Sequence, residues 1–272
     1  TGLPMLDGDR GHLVARRANY KKDNLEAPEI IYNPDLKEYY LFVSYDPLMT
    51  TYNVRVGRSD KAEGPFIDYF GKELKDTTNN FPILTAPYRF KNHPGWAGTA
   101  HCAVFTSNDG QYFMAHQGRL SPQNQMMDLH VRQVFFTKDG WPVVSPERYA
   151  GSNSREFSAV DLVGEWEIIR VQEPLYERKL EAGQILWGEG ELQDEEWNMS
   201  HLLYLEKDGK LGEDQGTWDF AKEDQSLQLT LNGEVVKNLI VFAGHDWENE
   251  TETVLFTGLD SRGRSVWGKR TK

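Results

Sequence analysis

The first 150 residues alternate short apolar runs with polar turns. Runs rich in Ile, Val, Tyr and Phe are separated by turn sequences such as NPDLKE, SNDG and KDGW. Such runs between Gly- and Asp-containing turns are typical of antiparallel hairpins. No long segment has the 3.6-residue period of an amphipathic helix. The pattern therefore predicts an all-β chain.

An internal repeat divides this region into two units. The stretch PEIIYNPDLKEYYLFVSY, followed by NVRVGRS and EGPFI, is echoed by HCAVFTSNDGQYFMAHQG, LHVRQVFFTKD and GWPVV. Arg55 then matches Arg132, and Pro65 matches Pro142. Each unit holds roughly four strands, which is the content of one β-propeller blade. Because propellers contain about four to eight blades, residues 23–149 predict two consecutive blades of a larger propeller.

The pattern changes after SPERYAGSNSR, where the echo of the repeat ends and the sequence becomes more charged. Roughly eight further short strands follow, which predicts a small β-barrel or sandwich. We place the C-terminal propeller blades in residues 1–151 and the accessory β-barrel domain in residues 152–272. Alternating strand contexts predict that the tryptophans of this tail are core residues rather than a second sugar site. These are Trp187, Trp197, Trp218 and Trp247.

Composition narrows the classes of partner. The 272 residues carry 42 Asp and Glu against 30 Lys and Arg, a formal charge of -12, so nucleic acid is not an expected partner. One cysteine, Cys102, excludes an internal disulfide. No apolar run is long enough to span a bilayer, so no membrane partner is expected. The first residues lack a signal-peptide pattern, and any export signal is expected to have been removed or to lie outside this sequence.

Several motifs together resemble a known enzyme family. LEAPEI, SYD with YNVRVGRS and EGPF, GWAGTAHCAVF, AHQGR and FFTKDGWPVV are similar to sequences of the arabinanases and arabinosidases of glycoside hydrolase family forty-three. The resemblance covers residues 11–150, and the tail resembles the β-barrel that follows the propeller in longer arabinanases. It implies part of a five-bladed β-propeller followed by a small C-terminal β-barrel. It also implies an extracellular or periplasmic, inverting glycosidase acting on α-1,5-linked arabinan or arabino-oligosaccharides.

The resemblance implies that Glu26 is the general acid, because the acid of this family is the Glu of an EAP-type motif where the innermost strand of a blade begins. An inverting enzyme pairs this acid with a carboxylate that activates water on the opposite face of the sugar. Pro28 is expected to restrict the residue before it to extended backbone. Glu29, which follows the proline, is the poorer candidate.

The two further aspartates of the family have no counterpart in this sequence. The aspartates before Glu26 are Asp7, Asp9 and Asp23, and none lies in the strand-entry context of the family. The resemblance therefore implies that an N-terminal propeller segment of the same enzyme supplies the base. Two alternatives stay open: a non-catalytic carbohydrate-binding or structural propeller fragment, and a related β-xylosidase or arabinofuranosidase.

His101 matches the family histidine that points into the propeller channel and helps to hold a hydrated cation, usually calcium. Calcium prefers oxygen ligands, so water would complete such a site. A satisfied core histidine is the alternative. Cys102, next to His101, is expected to be a small buried hydrophobic residue.

Other residues are candidates for binding the substrate. Trp96 offers a flat apolar ring to a sugar, or else it packs inside the propeller. Tyr45, Asp46, Tyr52 and Asn53 line a subsite, or they serve only the turn in which they lie. Arg119 matches a family position that reaches the sugar or the acid, although a salt bridge between blades is an equal alternative.

Overall fold

Nearly all regular structure in the computed structural model is β-strand. The structure describes residues 8, 11–17, 25–77, 79–123, 125–152, 154–173, 192 and 194–271. Within these ranges the helical elements are one four-residue helix, α1 (Ala159–Leu162), and three 3-10 turns. No helix among the described residues has the length and apolar character needed to cross a membrane. The prediction of an all-β chain is confirmed.

The propeller region contains the first ten strands. In chain order they are β1 (Leu25–Asn33), β2 (Glu38–Tyr45), β3 (Asn53–Ser59), β4 (Ile83–Thr85), β5 (Tyr88–Arg89), β6 (Trp96–Ala97), β7 (Ala103–Thr106), β8 (Tyr112–Leu120), β9 (Asp128–Phe136) and β10 (Pro142–Val144). The first four form an antiparallel sheet in chain order, as in a propeller blade. Strands β7 to β10 repeat this arrangement, and the far end of β8 also pairs with β6.

The tail forms a closed barrel. Its strands are β11 (Gly164–Arg170), β12 (Asn198–Met199), β13 (His201–Leu205), β14 (Lys210–Leu211), β15 (Gly216–Ala221), β16 (Ser226–Leu231), β17 (Glu234–Asp246), β18 (Thr251–Leu259) and β19 (Ser265–Arg270). All of them except β12 close the barrel, in which β11 pairs with both β13 and β19. The interior is filled by side chains such as Trp166, Leu205 and Phe256, so the barrel is a packed core. The predicted propeller-type sheets followed by a small barrel are confirmed.

The outer strand of the first blade differs from the prediction. EGPFI was expected to be the fourth strand, but β4 comes later in the chain, and EGPFI contributes only isolated bridges from Ile67 to Arg58 and to Glu73. The intervening excursion packs Phe66 and Leu74 against the outer side of β2. Residues that the repeat had assigned to a strand therefore belong to a separate small hydrophobic core.

The barrel and the propeller region share structure. Strand β12 lies parallel to β5 and extends the sheet of the second blade. Asn198 Nδ2 donates to the carbonyl oxygen of Pro87 at 2.7 Å, and Trp267 of β19 belongs to the main hydrophobic core of the blades. The domain boundary between residues 151 and 152 stays a prediction, but the two parts are joined by hydrogen bonds and a continuous core.

Candidate functional site

Glu26 lies at a β-bulge near the beginning of β1. Glu26 pairs with Ser44 of β2, whereas Glu29 pairs with Phe42, so β1 contains one extra residue. Ala27 has a φ of 51°, which corrects the expectation of extended backbone before Pro28. Proline has no N–H for the ladder, and a bulge accommodates it. Bulges change the direction of neighbouring side chains, and the Glu26 residue is exposed here.

A buried tyrosine contacts this exposed carboxylate. The hydroxyl of Tyr52 donates to Glu26 Oε1 at 2.5 Å, and its ring is buried in the core of the blades. Burial, followed by the hydrogen bond and charge of Glu26, raises the pKa of Tyr52. The phenol therefore stays protonated and keeps its hydrogen-bond donor.

A groove of about 700 Å³ opens beside this bulge. Its walls come from the beginnings of β1, β7 and β9 and the middle of β8, and they include Ala27, Pro28, His101 and Gln117. This volume lies within the range of about 300–1,000 Å³ that ligand sites commonly enclose. The bulge thus places Ala27 and Pro28, the two residues after Glu26, in the wall of this groove, which Glu29 also lines.

His101 is exposed where the chain enters β7, with a φ of 57°. Its backbone N–H donates to Ser44 Oγ at 2.9 Å, which connects the second blade to the residue that faces Glu26 in the first. The exposed imidazole lines the groove. A cation that keeps most of its water shell fits this position, with one imidazole nitrogen as the protein ligand. The calcium prediction stays a prediction.

The described residues contain one cluster of three acidic side chains with metal-ligand spacing, and it lies far along the chain from His101. It consists of Glu147, Asp246 and Glu248. The ammonium of Lys269 lies 2.9 Å from Glu147 Oε1 and 3.0 Å from Asp246 Oδ1, and it also contacts Glu248. Since Lys269 supplies the cation, this cluster is a buried ion-pair network at the junction with the barrel.

The pKa values of Lys269 and of its neighbour Glu147 are strongly shifted. Burial and the neighbouring charge of Glu248 raise the pKa of Glu147 to about 8 despite the attraction of Lys269. Burial opposes the charge of Lys269, but the carboxylates outweigh it and raise its pKa. Three carboxylates against one ammonium leave an excess of negative charge, which favours uptake of a proton.

Trp96 is buried, with 5% of its surface exposed. Its ring stacks on His93 and meets His130 edge-on at 4.4 Å, and Arg148 lies over it at 5.2 Å. The prediction of a sugar-contact role is corrected, because an indole enclosed by two imidazoles and a guanidinium has no free face for a sugar.

Tyr45, Asp46 and Asn53 are also buried. Asp46 accepts from Arg17 Nη1 at 2.7 Å and from Asn53 Nδ2 at 2.6 Å. The Tyr45 ring lies between the guanidinium groups of Arg17 and Arg55, at 5.3 Å and 4.9 Å. The prediction that these residues line a subsite is therefore corrected: they form an internal network that holds the turn between β2 and β3.

Arg119 and Cys102 are buried as well. Arg119 lies near the end of β8 and donates through Nη1 to the carbonyl oxygen of Gln125 at 3.0 Å. Its burial corrects the prediction of a sugar contact in this structure and lowers its pKa. Burial, followed by the charge of Glu29, raises the pKa of the Cys102 thiol to about 12. The thiol is therefore a packing group rather than a nucleophile.

The tryptophans of the tail have different surroundings. Trp218 lies in the barrel core, and Trp197 is buried against Arg89 of the second blade, with the guanidinium 4.3 Å from its ring. Trp247 is 38% exposed, so the prediction of a core role is wrong for it. Trp187 lies outside the described residues, as do Asp7, Asp9 and Asp23.

Sequence reasoning did not connect Tyr52 or Ser44 with Glu26. Tyr52 follows the turn between β2 and β3, and Ser44 lies opposite Glu26 only because the bulge shifts the register by one residue. Without the bulge, Glu26 would face Tyr45. The signal available in the sequence was Pro28, two residues after Glu26, since proline in a strand commonly marks a bulge.

Comparisons with known proteins agree with this architecture. The sequence profile described as "Glycosyl hydrolases family 43" matches residues 6–142, and the profile of its "C-terminal lipocalin-like domain" matches residues 146–268. The "Extracellular endo-alpha-(1->5)-L-arabinanase 2" of Bacillus subtilis is 26% identical over an alignment of 268 residues, and the match covers 90% of this chain and 53% of that protein. The "Extracellular endo-alpha-(1->5)-L-arabinanase" of Thermotoga petrophila is 26% identical over 100% of this chain and 57% of its own length.

A solved structure has the same fold. The crystal structure of the endo-1,5-alpha-L-arabinanase of Thermotoga petrophila superposes with a TM-score of 0.76 at 24% identity, and the match covers 92% of this chain and 56% of that one. This chain spans about half the length of the curated relatives it matches.

Proposed function

We propose that this chain, which belongs to glycosyl hydrolase family 43, is part of an enzyme that hydrolyses α-1,5-linked arabinofuranosyl bonds in arabinan. The observation that carries the proposal is the exposed carboxylate of Glu26 at a bulge beside an open groove, in contact with a buried phenol. The relatives named arabinanases support the substrate class. They are also named extracellular, which supports action outside the cytoplasm.

The proposed reaction inverts the anomeric centre. Glu26, as the general acid, gives a proton to the leaving glycosidic oxygen, while a carboxylate base activates water on the opposite face of the ring. We assign that base to an N-terminal propeller segment of the same enzyme.

We also propose a calcium ion at His101. The exposed imidazole beside the groove would supply one ligand, and water would supply most of the others. The ion would add positive charge to the channel. Trp96, Tyr45, Asp46, Asn53 and Arg119 are left out of this site because they are buried.

The test is hydrolysis of arabinan by the complete enzyme carrying Glu26→Gln. We expect a rate loss of about 10²–10⁴-fold, the contribution of a general acid, with an unchanged melting temperature. Glu38→Gln is the matched control, since Glu38 lies at the far end of the same hairpin, opposite Asn33. Substantial activity in the Glu26 variant would refute the assignment, and the size of the products distinguishes endo from exo cleavage.

A further inference from the structure

We propose that Tyr52 is the positioning residue of the general acid, because its hydroxyl occupies Oε1 of Glu26 and leaves Oε2 to carry the transferable proton. The inference rests on the proposed function and deepens it. A protonated carboxyl has one O–H and one carbonyl oxygen. Because the carbonyl oxygen is the stronger acceptor of the two, we assign it to Oε1, which accepts from Tyr52 at 2.5 Å, and the proton to Oε2.

Packing fixes the position of the phenol. Tyr52 is 1% exposed and lies in the main core together with Phe42, Val54 and Cys102. By contrast, Glu26 is exposed and reaches this position from a bulged strand. A rigid donor against a mobile carboxylate sets the rotamer of the carboxylate, and placement of a catalytic group within about 0.5 Å is the usual requirement for efficient catalysis.

A chain of hydrogen bonds sets the direction in which Tyr52 donates. The backbone N–H of His101 donates to Ser44 Oγ at 2.9 Å, and a hydrogen bond from Ser44 to the phenol oxygen offsets part of the rise in the pKa of Tyr52. A donor at Ser44 favours donation of the phenol hydrogen to Glu26, which is the direction of the 2.5 Å contact. Donors aligned in one direction strengthen one another.

The reaction step balances with this arrangement. The bond between the anomeric carbon and the leaving oxygen breaks, and its electron pair goes to that oxygen, which takes the proton from Oε2 of Glu26. Water forms the new bond to the anomeric carbon and gives its proton to the carboxylate base of the N-terminal segment. Glu26 is left as a carboxylate, still accepting from Tyr52 through Oε1.

The leaving group provides the decisive test. The complete enzyme is assayed as wild type and as Tyr52→Phe on two arabino-oligosaccharides, one natural and one whose reducing end carries dinitrophenol. Dinitrophenolate departs without protonation, so a defect in the acid affects only the natural substrate. We expect Tyr52→Phe to lower kcat on the natural substrate about 10–100-fold with KM unchanged, and to leave the activated substrate nearly unaffected.

Tyr40→Phe is the matched control, because Tyr40 is equally buried and donates to the carbonyl oxygen of Gly140, remote from Glu26 along β2. If Tyr52→Phe fails to fold, Ser44→Ala tests the same chain of hydrogen bonds and should give a smaller loss with the same dependence on the leaving group. Equal losses on both substrates, or no loss on either, would overturn the role of Tyr52. Retention of natural-substrate hydrolysis by Glu26→Gln would instead overturn the proposed function.

Discussion

Two carboxylate sites in this chain have opposite surroundings. Glu26 is exposed beside an open groove and accepts one hydrogen bond from a buried phenol. Glu147 is fully buried at the junction with the barrel, where Lys269 and two further carboxylates surround it. The buried site has the larger electrostatic perturbation, with the pKa of Glu147 raised to about 8, yet it offers no path to a polysaccharide.

The difference shows how to distinguish a catalytic carboxylate from a structural one. A strongly shifted pKa marks functional sites only when the group is also accessible in a cleft. At Glu147 an ammonium already occupies the position that a metal ion would take. A catalytic carboxylate is therefore distinguished from a structural one by its accessibility to a substrate and by the lack of a protein cation in the position that a ligand would take.

The largest stability effect is expected at the buried site. Lys269→Met keeps the length of the side chain but removes the positive charge from the network of Glu147, Asp246 and Glu248. Breaking a buried ion pair in this way costs about 3–5 kcal/mol, and we expect that loss in the free energy of unfolding measured with urea. A loss below about 1 kcal/mol, the range of an exposed ion pair, would show that the network contributes little to stability.

The response to calcium should separate the groove, where His101 lies, from the buried site of Glu147. In the complete protein, calcium at about 100 times its dissociation constant should stabilise the folded state by about 2.7 kcal/mol, and a chelator should reverse the rise in melting temperature. His101→Ala should abolish the effect, whereas Glu147→Gln should retain it. Identical melting temperatures with and without chelator in the unsubstituted protein would argue against a cation at His101.

A third effect is a change in the pH dependence of the free energy of unfolding. The pKa of Glu147 is about 8 in the folded chain and 4.5 ordinarily, so the folded state binds an extra proton between these values. Its contribution to stability is complete below about pH 4.5 and is lost as the pH rises through about 8, with a slope of up to about 1.4 kcal/mol per pH unit.

Glu147→Gln should remove this slope. Urea unfolding at about pH 5 and about pH 8 measures it, and Glu38→Gln serves as the control, since Glu38 lies on the partly exposed beginning of β2. A slope unchanged by Glu147→Gln would assign the titration to another group.

The sequence predicted the hairpins and the barrel because their turn residues and alternating patterns are local. The same reasoning placed EGPFI in the first blade as a strand, since it could not detect that Phe66 and Leu74 pack on the outer side of β2. It also missed β12, whose two residues pair with β5 more than a hundred positions earlier in the chain. Contacts between distant segments leave little local pattern.

The site was predictable only in part. Glu26 and His101 were found through motifs, and both are exposed near the groove. Tyr45, Asp46 and Asn53 have the residue types of a sugar subsite, but Arg17 and Arg55 enclose them. Polar residues that serve a ligand and those that serve an internal network look the same in one sequence, because their chemistry is identical and only burial differs.

The short strand β12 limits how this protein can be recombined with others. It comes from the tail, yet it hydrogen-bonds to the edge of the second blade beside Tyr88 and Arg89. A chimera that replaces the barrel at residue 152 would expose that edge, and unpaired strand edges promote aggregation. Exchange of barrels between members of the family will therefore succeed only if β12 and the β5 edge are transferred as a matched pair.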